Sequence, residues 1–310
     1  MQIPCWRLWK RHATLVGLVI VVLAMAVASP KFFSATNFLN IVRQTSVHGI
    51  MAVGMTFVIL TGGIDLSVGS MLALAGILCA TLEHADWPVL PVVAVTLLLG
   101  AGMGLMNGLA ITTLRVTPFV ATLGTMGIAR GIAHIATNSQ PISSFGSGFR
   151  WIGAGTIFGM PVPVAIFLLS VVAAAVLLQR TRFGRYVYAM GGNERAARLS
   201  GIGVERYTAA VYVICGITAA LAAVVLTSRL NAAESIAGIG YELDVIASVV
   251  IGGTSLSGGR GSVWGTLAGA LLIGTINNGM NLLSISSYYQ TVVKGAVIVA
   301  AAALDRLRNE

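Results

Sequence analysis

Several polar side chains stand inside long apolar runs, where a charge or an amide has to be bonded, hydrated or put to use. Asp65 follows two glycines in Gly62-Gly63-Ile64-Asp65-Leu66-Ser67. A lone carboxylate in hydrocarbon is costly, so Asp65 is expected to bond locally. Either it or Ser67 would offer oxygen to the free N–H groups that open the next helix. Direct contact with a transported solute is the weaker reading, because the expected place is the cytoplasmic rim. Asn277 and Asn281 are four apart on one helical face, with Asn278 beside them. Three amides near mid-membrane either line an aqueous solute path or bond helix to helix, and the residues do not choose between the two. Arg130 and His134 are also four apart, and Asp244 and Lys294 stand separately. Snorkelling, pairing in the bundle or lining a wet cavity would each accommodate such groups.

None of these forms a catalytic constellation. The three lysines include none in a Gly-xxxx-Gly-Lys-Ser/Thr setting, so a phosphate-cradling loop is excluded. His-Glu-xx-His, Gly-x-Ser-x-Gly and clustered Cys/His patterns are missing too. Cys5, Cys79 and Cys215 are odd in number and far apart, and read as small apolar residues. No catalytic residue, metal ligand or cofactor is expected, and uphill transport would draw on a partner or an ion gradient.

The strongest functional signal is the segment from Arg180 to Tyr207, RTRFGRYVYAMGGNERAARLSGIGVERY. Asn193 is a natural N-cap, Glu194-Arg195-Ala196-Ala197-Arg198-Leu199 has helical propensity, and Gly201 is a natural stop. A short basic helix with one small apolar face is therefore expected outside the bilayer, shaped to enter a cleft of another protein. A merely solvated loop would account for the arginines but not for the Gly-Gly-Asn start and Ser-Gly stop.

The elements that carry these residues follow from composition. Hydrophobic residues make up 56% of the 310 positions and charged residues 9%, against roughly 25% charge in soluble domains. Lipid permits only helices that satisfy their own backbone, or closed barrels. Ten apolar runs read as membrane helices: 13–29, 46–62, 67–82, 89–112, 118–137, 162–179, 208–228, 243–257, 263–283 and 288–304. The third and eighth are short enough to be re-entrant or tilted. The fold class is thus all-α, one membrane-spanning domain over 1–310, with 180–207 as a cytoplasmic loop within it.

The net charge of +9 is placed between the runs, which marks membrane topology and excludes nucleic acid. With the N-terminus inside, thirteen cations fall on the cytoplasmic side: Arg7, Lys10, Arg11, Arg115, Arg180, Arg182, Arg185, Arg195, Arg198, Arg206, Arg260, Arg306 and Arg308. The opposite side receives Lys31, Arg43, Arg150 and Arg229. Both termini are therefore expected in the cytoplasm. Ala26-Val27-Ala28 resembles a signal-peptidase site, but an uncleaved first helix is the favoured reading. The stretch from Asn138 to Pro161 is expected outside, irregular or as a short surface helix.

Gly62-Gly63-Ile64-Asp65-Leu66-Ser67 is echoed by Gly252-Gly253-Thr254-Ser255-Leu256-Ser257 at an offset of 190, which suggests duplicated halves in parallel orientation. Gly100, Gly104 and Gly108 recur every fourth residue, as do Gly265 and Gly269. Such faces let backbones approach, either within the chain or at a dimer seam, and packing within the chain is favoured.

Three blocks carry a resemblance to a known family. AVGMTFVILTGGIDLSVGSMLALAG runs from Ala52 to Gly76, FGRYVYAMGGNERAARLSGI from Phe183 to Ile202, and GYELDVIASVVIGGTSLSGGRGSVWGTLAGALLIGTINNGMNLL from Gly240 to Leu283. Similarity continues through SSYYQTVVKGAVIV after Ser286 and covers essentially the whole chain. In these the chain resembles the membrane-spanning subunits of bacterial ATP-binding-cassette importers of the ribose, xylose, galactose and autoinducer-2 group, and the ribose members most. The resemblance implies translocation of a monosaccharide, most ribose-like, across the inner membrane. It implies a second permease subunit, identical or a close paralogue, a cassette ATPase docked beneath and a periplasmic sugar-binding protein outside. It also makes Gly192, Asn193, Glu194, Arg195, Ala196, Ala197, Arg198, Leu199, Ser200 and Gly201 the element that contacts the ATPase. An ion-coupled secondary transporter is the alternative, with Asp65, Arg130, His134, Asp244 and Lys294 as its scattered candidates.

Overall fold

The computed structural model describes residues 5–309, and within them every one of the ten apolar runs holds a helix. Helices α1 (Cys5–Ala28), α2 (Ala35–Leu60), α3 (Val68–His84), α4 (Val89–Thr112) and α5 (Pro118–Thr137) form the first part. A connecting segment follows with β1 (Ile142–Ser143), α6 (Ser147–Ala154), β2 (Thr156–Ile157) and β3 (Met160–Pro161). Next come α7 (Val162–Arg180), α8 (Arg182–Gly192), α9 (Glu194–Leu199), α10 (Val204–Leu230) and β4 (Ala232–Ala233). The chain closes with α11 (Tyr241–Ile251), α12 (Val263–Leu282) and α13 (Ser287–Asn309). Met1–Pro4, Glu310 and the side chains of Cys5, Arg7, Lys10, Arg11, Arg306 and Arg308 lie outside what is described, so the terminal charges behind the topology are not placed here.

Among the described residues, four helices are long and apolar enough to cross a membrane by length and composition: α4, α5, α7 and α10. The core forms around α10 and α2, where Val211, Tyr212, Cys215, Ala219 and Val225 meet Ile50, Val53, Phe57 and Leu60. Glycine makes this packing close. Cβ atoms on Gly100, Gly104 and Gly108 would run into the α10 backbone at Gly216, Tyr212 and Ala209, and those on Gly265 and Gly269 into the backbone at Gly252 and Ser248. The two stripes therefore serve packing within the chain. α5 is the opposite case: it buries Thr122, Ala129 and Ala133 and leaves Leu123, Ile128, Ile132 and Ile135 exposed.

The eighth run is interrupted. α11 has 11 residues, about 16 Å at 1.5 Å per residue, and cannot cross hydrocarbon alone. It stops because Gly253 takes a left-handed φ of 91°. The N–H groups of Gly253 and Thr254 then return to the carbonyls of Val250 and Val249, the paired bonds of a Schellman stop. α2 ends the same way, with Gly62 at φ 79° and bonds from Gly62 and Gly63 to Ile59 and Val58. The two stops superpose Gly62 on Gly253, an offset of 191 where the residue echo suggests 190.

The segment from 138 to 161 holds the short helix α6 and a hairpin of β2 on β3. β1 pairs with β4, Ile142 against Ala233. Ser228 receives the N–H of Gly153 at 2.7 Å and donates to the carbonyl of Phe149 at 2.6 Å, which fastens α6 to the end of α10.

Candidate functional site

α8 and α9 form one projecting element. Thr181 caps α8 through its bond to the N–H of Gly184, and Asn193 caps α9 by accepting the N–H of Ala196 at 2.9 Å. Gly201, at φ 81°, ends α9 with bonds from Gly201 and Ile202 to the carbonyls of Arg198 and Ala197, a third Schellman stop. Arg198 bridges Glu194 at 3.1 Å and also pairs with Glu205, and these partners raise its already high pKa. The apolar face expected to enter a partner turns inward at Ala197, which packs with Met190 and Val204. What projects outward is Leu199, 84% exposed, among the exposed Gly192, Glu194, Arg195, Ala196, Arg198 and Ser200.

The root of this element is a meeting of backbones. Gly259 donates its N–H to the carbonyl of Leu60 at 2.9 Å, and a Cβ on Gly191 would strike both of those groups. Gly258 lies against Gly191 and Gly62, and Gly259 against Gly192. Tyr188 donates its hydroxyl to the carbonyl of Gly261 at 3.0 Å. The turn after α2 and the loop after α11 are thus both seated on the end of α8. A cleft of 520 Å³ opens beside α9, lined by Glu194, Arg198, Glu205, Arg115 and the Gly62-Gly63 turn, and reaches Tyr212.

Asp65 lies in a buried turn. Gly63 packs on the Tyr212 hydroxyl, and Tyr212 stands eight residues into α10, about 12 Å along a helix of about 40 Å. Asp65 and Ser67 are thus buried, while Gly62 at the head of the same turn is exposed and lines the cleft beside α9. Ser67 holds the N-cap position of α3 without a side-chain capping bond. Asp65 instead accepts the N–H of Ser67 at 2.9 Å and its hydroxyl, while Asn107 of α4 donates to Ser67 Oγ at 3.0 Å and to Asp65 at 3.4 Å. Thr125 of α5 donates to Asn107 at 2.6 Å. Ser67 thus gives no side-chain cap, whereas Asp65 takes the N–H of the residue that opens α3, in a buried turn tied across two helices.

A second polar cluster joins groups that the sequence leaves apart. Asp244 accepts Lys294 Nζ at 2.8 Å and Asn277 Nδ2 at 3.3 Å, with His48 Nε2 at 3.6 Å. His48 lies against the Tyr241 ring, centroids 4.2 Å apart. Asn278 donates to Asn37 at 2.9 Å, and Asn281 accepts from Gln290 at 2.9 Å. All three amides of α12 therefore bond to other elements. Eight buried side-chain atoms lack a hydrogen-bond partner among the described residues. Six of them belong to Arg43, Thr45, His48, Asp244, Asn277 and Asn278, on facing stretches of α2, α11 and α12. Arg130 donates to the carbonyls of Ser235 and Ala237 and holds the segment before α11, and His134 pairs with Ser139 at 3.0 Å.

Sequence reasoning passed over His48, Asn107 and Tyr188. The first two are polar residues in apolar runs, the same signal that marked Asp65. Tyr188 gives no such signal, because its role lies in a backbone carbonyl 73 residues away.

Over residues 37–302 the chain matches the family described as branched-chain amino acid transport system / permease component. It is 48% identical over 300 residues to the ribose import permease of Escherichia coli strain K12, covering 96% of this chain and 94% of that one. To the ribose import permease of Bacillus subtilis strain 168 it is 50% identical over 297 residues, covering 94% and 92%. To the D-allose transport system permease of Escherichia coli strain K12 it is 42% identical over 301 residues, covering 96% and 92%. No solved structure matches.

Proposed function

Because the chain belongs to the family of branched-chain amino acid transport system permease components, we propose that it is the membrane subunit of an ATP-driven sugar importer and that α9 is where the ATPase grips it. The substrate class follows relatives named for ribose and D-allose, with ribose first. On this reading the chain forms one domain, crosses the bacterial inner membrane about ten times with both termini inside, and pairs with a second permease subunit, identical or closely related. A periplasmic binding protein delivers the sugar and a separate cassette ATPase supplies the energy.

The observation that carries this reading is the form of α9. It is capped at both ends, anchored by Ala197, and displays Leu199 with Arg195 to solvent beyond the apolar span of α10. A loop present only for its charge has no need of two caps and an anchor. The outer cluster of Asp244, His48, Asn277 and Lys294, bordered by Asn278 and Asn281, is the proposed polar lining of the path. The ion-coupled alternative finds no support, since Lys294 is paired with Asp244 and Asp65 with Ser67 and Asn107.

Co-expression with the cassette ATPase and affinity purification in detergent test the docking assignment. Deletion of residues 194–199 and Leu199→Glu are both expected to release the ATPase while the permease stays monodisperse. Ala197→Glu would report on folding instead, because that side chain is buried. Retention of the ATPase by the deletion would sink the assignment.

A further inference from the structure

The grip of α9 has to reach the membrane helices, and among the described residues its apolar packing reaches Met190 of α8 and Val204, Ile202 and Tyr207 around the start of α10. The route inward runs through the end of α8. There Gly191 lies against the Leu60 carbonyl and the Gly259 N–H, Gly258 touches both Gly191 and Gly62, and the Tyr188 hydroxyl binds Gly261. Leu60 closes α2 just before the glycine turn that leads to α3, and Gly258 to Gly261 lead into α12. Burial raises the Tyr188 phenol pKa, so it remains a donor at neutral pH.

We infer that Gly191 and Tyr188 are positioning residues that pass displacement of α9 into the two glycine turns ahead of α3 and α12. The inference rests on the reading of α9 as the ATPase contact. Its physical basis is the backbone-on-backbone contact of Gly191 with Leu60 and Gly259 and of Gly258 with Gly62. Backbone set directly on backbone has no rotamers to absorb a push, and packed interfaces respond by shifting between discrete arrangements instead of deforming gradually. Gly191 has an ordinary negative φ, so its glycine is required by contact and not by conformation. Both turns hang on the same short stretch of α8, so one movement would act on both.

The test uses the complete importer, with permease, ATPase and binding protein reconstituted in liposomes and D-ribose as probe, followed by D-allose and L-arabinose. Gly191→Ala places a methyl group in the junction, and Tyr188→Phe deletes one hydroxyl while keeping the ring. Gly203→Ala is the control, a glycine between α9 and α10 with open space around its α-carbon. Gly191→Ala is expected to keep the ATPase at wild-type stoichiometry but lower sugar carried per ATP hydrolysed by about fivefold or more, the low end of coupling between sites. Tyr188→Phe is expected to lower it in the same direction by less, and Gly203→Ala to match wild type. Should Gly191→Ala fail to insert, Tyr188→Phe carries the test. Wild-type sugar per ATP in the inserted junction variants overturns the inference, and so does loss of the ATPase from either, which would make these residues part of the docking surface. The parent reading fails separately, if deletion of residues 194–199 leaves the ATPase bound.

Discussion

At the scale of single residues, Asp65 shows how a carboxylate is made tolerable inside a membrane bundle. It is fully buried, with no cation among its bonding partners, and relies on the N–H and hydroxyl of Ser67 and the amide of Asn107. Removing it strands the N–H and hydroxyl of Ser67, and each unsatisfied buried group costs roughly 1–3 kcal/mol. Asp65→Ala is therefore expected to lower the thermal unfolding midpoint of the purified protein clearly. Asp65→Asn keeps an oxygen for Ser67 and is expected to lower it less. Equal losses in a fluorescence-monitored melt would show that the charge itself, and not the acceptor geometry, holds the turn. That Asp65 had to be bonded was legible from its apolar neighbours. Its partner was not, because Asn107 is 42 residues away and is brought near only when α4 packs on α10 through three glycines.

At the scale of elements, the glycine stripe of α4 separates close packing from mere helix breaking. Gly104 meets the α10 backbone at Tyr212 and Val213, whereas Gly102, two residues earlier, has nothing around its α-carbon. Gly104→Val is expected to force the helices apart and yield aggregated or poorly inserted protein. Gly102→Ala is expected to be neutral or to stabilise by up to about 1 kcal/mol, the helix-propensity gain over glycine. Size-exclusion profiles and melts of the two variants check both, and a harmless Gly104→Val would remove the case for backbone contact. The spacing of four made this packing readable from sequence, as did the caps of α9. The short course of α11 was legible in part, because Gly252-Gly253-Thr254-Ser255 follow Ile251, but the bonds that Gly253 and Thr254 return to α11 were not. The inward turn of Ala197 was also hidden, since Met190 and Val204 flank it from different helices.

At the scale of the whole molecule, the unpaired polar atoms are not scattered. Most gather where α2, α11 and α12 face one another, around a carboxylate that also holds α13 through Lys294. Such a cluster is either a strut between helices or part of the sugar path, and the two roles respond differently to neutralisation. Asp244→Asn alone leaves Lys294 without its counter-charge, and Lys294→Met alone leaves Asp244 so. Breaking a fully buried pair costs about 3–5 kcal/mol, and here the loss should be smaller because Lys294 keeps 23% exposure. The double variant Asp244→Asn/Lys294→Met removes both charges and is expected to recover stability beyond either single change, because no uncompensated ion remains. If the cluster lines the path, this refolded double variant should still import D-ribose poorly, with its ATPase bound and α9 intact. Melting in detergent and uptake in liposomes, measured on the same four proteins, separate the roles. Recovery of both stability and uptake would make Asp244 and Lys294 a strut only, and would move the path away from the facing stretches of α2, α11 and α12.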